Sequence, residues 1–252
     1  MNTKYTTQEL ADILGLNISF RRLGYHLENN PNRLMKDGVK SITVHQTDSF
    51  GVGADAENHH NYLRKGTGGR KVSWHYAVDE TVVIQHFRDD RVTWHSGNTV
   101  GNETSIGIEM CVDADKKGDK VMGKSNYLKT VDNGAKLVAI KLFEHGLTLN
   151  DVKQHYDWTK KNCPSQIRGK LYGYTWSDFM KAVGTHLSSI DLFINPPPVI
   201  ERETAGEGKL FRVSVASMKY RDNAEELKQK LLDAGFKDAF LVVVNDPNYK
   251  GD

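Results

Sequence analysis

The run Ser-Ile-Gly-Ile-Glu-Met-Cys-Val at residues 105–112 decides the fold. Its side chains alternate as in a strand: Ile106, Ile108, Met110 and Val112 share one face, and Gly107, Glu109 and Cys111 share the other. Burying a carboxylate unpaired in so apolar a strand is costly. Glu109 is therefore either one half of a salt bridge or a group kept for acid–base work. Cys111 reads as a small buried hydrophobe.

Upstream, Ser-Ile-Thr-Val-His-Gln at residues 41–46 is a second strand, with Ile42 and Val44 on one face and Thr43 and His45 on the other. A loop, residues 47–54, follows it. His45 is either a partly buried strand histidine or a site residue at a strand end, where loops carry function. Residues 72–87 predict a β-hairpin turning at Asp79-Glu80. The glycine-rich loop 65–71 lacks the Gly-Lys-Ser/Thr ending of a phosphate loop. Thr6 and Glu9 form a capping box for a helix running through Leu14.

Downstream, residues 126–146 predict a long amphipathic helix. Tyr127, Val131, Ala135, Val138 and Leu142 make its apolar stripe, and Gly146 caps it. A short strand at 152–155 and a helix at 175–189, with Phe179, Val183 and Leu187 inward, complete this part. Strands interleaved with helices predict an α/β fold, a mixed central sheet flanked by helices. It occupies residues 1–190. A Pro-rich stretch at 191–208 reads as a linker, and residues 209–252 read as a small βαβ unit.

Composition narrows the function classes. A net charge of +2 over 252 residues gives no case for nucleic-acid binding through bulk charge. No run of about 18 apolar residues is present to span a membrane. The N-terminus shows no signal peptide, so synthesis into the cytoplasm is expected. With only two cysteines, a disulfide scaffold gives way to a metal-bound or catalytic cysteine.

Lys-Gln-His-Tyr-Asp-Trp-Thr-Lys-Lys-Asn-Cys at residues 153–163 supplies that cysteine. His155 and Cys163 stand with seven residues between them, and Lys161 lies two places before the cysteine. Imidazole and thiolate are zinc ligands, and His45 is the best third candidate. Three protein ligands and an open position make a hydrolytic zinc site, whereas a structural site wants a fourth ligand, and none is evident. Taken without context, one His and one Cys at this spacing are more often unrelated residues than metal ligands.

VHQT at 44–47, VSWHYAVDE at 72–80, TWHSG at 93–97, SIGIEMC at 105–111 and VKQHYDWTKKNCP at 152–164 occur in this order. Together they resemble the zinc-dependent N-acetylmuramoyl-L-alanine amidases of the type-2 amidase and peptidoglycan-recognition superfamily. Within it they look most like endolysins of phages and prophages of Gram-positive bacteria. The resemblance implies one zinc ion held by His45, His155 and Cys163, a catalytic Glu109, and Lys161 as its cationic partner. Some smaller phage members carry a functional tyrosine where this chain has Trp74, which leaves that work to Glu109. Trp74, His75 and His95 are candidates to line the groove for sugar and stem peptide, with internal packing the alternative for each. The resemblance also implies peptidoglycan as the partner, and action on the wall after release alongside a holin. The superfamily contains non-catalytic peptidoglycan-recognition proteins, which typically lack the cysteine ligand. Residues 211–236 resemble one half of a sporulation-related (SPOR) wall-binding module. That implies glycan binding or a homodimer that completes the module.

Overall fold

A strand buried on both faces needs cover on both sides, and the central strands here are of that kind. The computed structural model describes residues 4–24 and 28–195, together with residues 228, 229 and 233. The linker and the SPOR-like unit therefore lie almost wholly outside the described residues. The described elements are α1 (Thr7–Ile13), β1 (Ile18–Phe20), β2 (Ser41–Gln46), α2 (Ala56–Arg64), β3 (Tyr76–Val78), β4 (Val83–Gln85) and α3 (Thr99–Thr104). They continue with β5 (Ser105–Met110), α4 (Lys124–His145), β6 (Val152–Gln154), α5 (His155–Thr159), α6 (Ser165–Arg168) and α7 (Trp176–Ile194).

Six strands form one sheet in the order β1-β4-β3-β5-β2-β6. Every pairing is parallel except β3 with β4, the expected hairpin. Asp79 holds its turn, with Oδ1 accepting the backbone N–H of Thr81 (2.8 Å) and of Val82 (2.8 Å). The two strands are shorter than the run 72–87 suggested. The α/β expectation holds: helices flank a mixed central sheet.

All six residues of β2 are buried. The Ile106, Ile108 and Met110 face of β5 packs under α4. A Cβ on Gly134 of α4 would lie 2.4 Å from Met110 Sδ, so the glycine lets helix and strand approach closely. From Gly134 to Leu142 every residue of α4 is buried, well beyond the expected stripe. In α7, Phe179 and Val183 are buried as expected, but Leu187 is only partly buried, and His186 and Ile190 face inward instead. On the opposite sheet face, Ala56 of α2 packs with Ala77, Ile84 and Cys111. The part of that face lying over Thr43, His45, Gly107 and Glu109 carries the site.

Candidate metal centre

Register brings the site together. β2 and β5 pair in parallel with His45 opposite Glu109, and β6 lies on the other side of β2 with Gln154 opposite Val44. The next residue, His155, is the first of α5 rather than the end of a strand. α5 stops at Lys160, whose φ of +63° turns the chain back. The Tyr156 N–H then donates to the Cys163 carbonyl at 3.0 Å. The seven-residue spacer thus folds into a loop that presents His155 and Cys163 to the same point. α6 is anchored beyond it, because Gln46 Oε1 accepts from the backbone N–H groups of Gln166 (2.9 Å) and Ile167 (3.0 Å).

His45, His155 and Cys163 are all buried, and their donor atoms lie within 4.8 Å of one another. His45 Nδ1 is 3.1 Å from His155 Nδ1, and Cys163 Sγ is 3.8 Å from His45 Nδ1. Zinc–nitrogen bonds of about 2.0–2.1 Å and a zinc–sulfur bond of about 2.3 Å at tetrahedral angles require separations of about 3.3 Å and about 3.6 Å. Both observed separations lie within about 0.2 Å of those values. The residues fit a zinc ion in both donor type and distance.

Burial holds all three imidazoles neutral. It pushes His45 well below its ordinary value, His155 down to about 4 and His95 down to about 3. Neutral imidazole is the form that binds a metal. Burial also pushes the Cys163 thiol up to about 12, with Glu109 adding to the effect. A thiolate here calls for a neighbouring cation.

Glu109 keeps 15% of its side chain exposed, and its Oε1 lies 3.9 Å from His45 Nδ1. Its Oε2 is a buried oxygen with no hydrogen-bond partner. Burial raises its carboxyl to about 8, while the Lys161 charge opposes the rise and Asp48 adds to it. Lys161 is exposed, and its charge reaches Glu109, His45 and His155. Among the described residues the basic group within 4 Å of Glu109 is the buried, neutral His45, and Lys161 acts on it from further away.

The three candidate groove residues sit inside the fold. His75 is fully buried. Its Nε2 is 2.8 Å from the Arg91 carbonyl, and its Nδ1 accepts the Gly107 N–H at 2.9 Å. Every polar atom of that ring is engaged internally, which leaves nothing for a substrate. Trp74 is 5% exposed and packs with Leu23, Leu63 and Phe87. His95 is 6% exposed and is bound to His45. All three are buried, as the packing alternative has it: Trp74 and His75 lie just before β3, and His95 lies in the loop that leads into α3.

Sequence reasoning missed two neighbours. Asp48, just past β2, accepts from Gln166 Nε2 at 3.0 Å and from Ser165 Oγ. Trp158 of α5 donates from Nε1 to Thr43 Oγ1 at 2.9 Å, tying the ligand-bearing helix to the sheet. The only available signal was their closeness in sequence to His45 and His155.

The sequence profile of the N-acetylmuramoyl-L-alanine amidase family matches residues 35–166, just over half of the chain. The N-acetylmuramoyl-L-alanine amidase XlyA of Bacillus subtilis is 37% identical over 145 residues, covering 57% of this chain and 43% of XlyA. The amidase CwlH of the same organism is 32% identical over 161 residues, covering 63% of this chain and 57% of CwlH. The chain thus spans about half the length of these relatives. The solved catalytic domain of XlyA is matched along 100% of its length and 67% of this chain, at 33% identity and a TM-score of 0.55. A mutant endolysin from Bacillus subtilis is matched along 99% of its length at 34% identity and a TM-score of 0.57. The matched segment carries His45, Glu109, His155, Lys161 and Cys163, and the chain belongs to the N-acetylmuramoyl-L-alanine amidase family.

Proposed function

We propose that this chain is a zinc-dependent peptidoglycan hydrolase that cleaves the amide between the lactyl group of N-acetylmuramic acid and the L-alanine of the stem peptide. The observation that carries this reading is the convergence of His45 Nδ1, His155 Nδ1 and Cys163 Sγ within 4.8 Å beside a carboxyl with an unpartnered oxygen. An amide is a poor electrophile, and hydroxide is scarce at neutral pH. Zinc held by these three residues would supply a Lewis acid for the carbonyl and lower the pKa of a bound water to about 7. Glu109 takes the proton of the attacking water and returns it to the leaving nitrogen. In the metal-free chain burial keeps Glu109 protonated to about pH 8. A neighbouring divalent charge favours the ionised form, which is the form a base needs. Lys161 faces the developing oxyanion as a fixed positive charge.

Digestion of purified cell wall tests the assignment. New free alanine amino groups should appear without new reducing sugar ends. Chelation should abolish their release, and added zinc should restore it. Zinc uptake without bond cleavage would favour the non-catalytic recognition protein instead.

No helix among the described residues is long and apolar enough to cross a membrane. In our reading the chain acts as an endolysin, reaching the wall once a holin has opened the membrane. Residues 207–252 carry as many Lys and Arg as Asp and Glu, so attraction to a charged wall polymer does not explain them. The half-module would be completed by a second copy, and two wall contacts per dimer would raise avidity. Light scattering should show a dimer for the full chain. A monomer at tens of micromolar would remove the pairing idea.

A further inference from the structure

His95 is closed to a sugar or peptide, yet it is not an idle core residue. Its Nε2 lies 3.2 Å from the Ser105 carbonyl oxygen, and its Nδ1 lies 2.9 Å from His45 Nε2. A carbonyl oxygen can only accept, so His95 Nε2 carries the ring hydrogen and donates it. A neutral imidazole has one N–H, which makes His95 Nδ1 an acceptor. The hydrogen shared with His45 therefore sits on His45 Nε2. His45 Nδ1 is left as a bare lone pair, 3.1 Å from His155 Nδ1.

We infer that His95 is a positioning residue that fixes His45 in its Nε2–H tautomer and so makes Nδ1 the metal-binding atom. This rests on the zinc reading above. Gly107 of β5 makes room for it, since a Cβ there would lie 2.6 Å from His95 Cγ. The glycine thus serves as a flat seat for the ring. Asn102 Oδ1 accepts the His95 backbone N–H at 3.0 Å and holds the loop in place. The His95 and His45 rings meet edge to face, with centroids 5.1 Å apart and planes at 87°. With the two nitrogens 2.9 Å apart, that centroid separation sets both nitrogens near the line joining the ring centres, as a bond along the in-plane His95 lone pair requires. Outer partners that orient a ligating histidine are typically worth about 10–100-fold in metal affinity.

Three substitutions separate orientation from bulk. His95→Phe keeps a buried ring without an acceptor, His95→Asn keeps an acceptor where Nδ1 stood, and Gly107→Ala leaves every histidine intact but takes away the seat. Zinc affinity is read by competition with a chromophoric chelator. The His45 tautomer is read from long-range proton–nitrogen NMR spectra of the metal-free protein. Wild type should show His45 protonated on Nε2. His95→Phe should bind zinc about 10–100-fold more weakly. His95→Asn should recover most of that loss, and Gly107→Ala should fall between. If His95→Phe does not fold, Gly107→Ala carries the comparison. Zinc affinity unchanged in His95→Phe and Gly107→Ala, or a wild-type His45 protonated on Nδ1, overturns the inference alone. A wild-type chain that takes up no zinc overturns the metal centre and this inference together.

Discussion

Among the described residues two clusters bring metal-type donors together, one buried and one half-buried, and they are built in opposite ways. His45, His155 and Cys163 form one; Asp89, Glu144 and His145 form the other, also with donor atoms within 4.8 Å. The second cluster already holds a cation. Lys141 Nζ is fully buried, 3.0 Å from Asp89 Oδ2 and 2.7 Å from Glu144 Oε2. Tyr76 and Thr7 donate hydroxyl hydrogens to Asp89 and Glu144, both at 2.5 Å. Burial alone would push Asp89 up, but Lys141, with His145 and Tyr76, outweighs it and holds the carboxyl below its usual range. Burial would likewise lower Lys141, and Asp89 and Glu144 outweigh it and raise the ammonium. The first cluster contains neutral rings, a thiol and no internal cation. What separates a candidate metal centre from a structural ion cluster here is whether the chain buries a cation of its own among the donors, as Lys141 is and the exposed Lys161 is not.

The largest expected effect comes from the first cluster. Cys163→Ser exchanges a thiolate for a far poorer anionic ligand, so the purified variant should lose stoichiometric zinc and wall-cleaving activity together. Elemental analysis still finding one zinc per chain would erase the contrast. Next comes Glu109→Gln, which keeps shape and removes the base. Activity should fall about 10²–10⁴-fold with zinc content unchanged, and near-normal turnover would make Glu109 a structural partner.

In the second cluster, Lys141→Met leaves Asp89 and Glu144 buried without their cation. Urea unfolding should show a loss of about 3–5 kcal/mol, while the fraction that stays folded keeps its zinc and its activity. A variant that instead gained a metal at Asp89 and Glu144 would show that the lysine alone had kept the ion out.

The smallest effect separates the clusters by pH. His75, packed beneath the site, is held neutral by burial, with its pKa lowered to about 4. Between pH 6.5 and 4 the unfolded chain binds a proton that the folded chain refuses, so stability falls as pH falls through that window. His75 alone should cost about 2 kcal/mol between pH 7 and pH 5. Asp89, lowered in the fold, loses its contribution only below the ordinary aspartate range of about 4. Urea midpoints across pH should therefore decline in two stages, and His75→Gln should make the first shallower by about its own 2 kcal/mol, the other buried histidines keeping the rest, and leave the second. A single decline confined to pH below 4 would place the buried histidines outside the balance.

Legibility in the sequence followed the range of the interactions. The capping box of Thr6 and Glu9, the strands around His45 and Glu109, and the Gly146 cap of α4 are set by residues within a few positions of one another, and all appear in the structure. Short β1, α2 and α3 carry too few residues for a period to stand out, and the sequence pattern alone assigns them no element. Lys136 and Lys141 lie outside the apolar stripe expected of α4, yet both are buried. Their counter-charges lie on the same helix and, for Lys141, 52 residues away at Asp89.

By itself the sequence determined the alternation that builds the sheet, the long helix beneath it, and the set of residue types, two histidines, a cysteine and a carboxylate, able to do metal-assisted hydrolysis. Those follow from local periodicity and from the chemistry of individual side chains. The tertiary structure decided which nitrogen of His45 is free, that His75 and Trp74 lie sealed in the packing, and that the Asp89 cluster is closed by a lysine. Each of these depends on a partner from a distant part of the chain. A hydrogen bond or an ion pair has a direction and a distance, and only the folded register of β2, β5 and β6 fixes both.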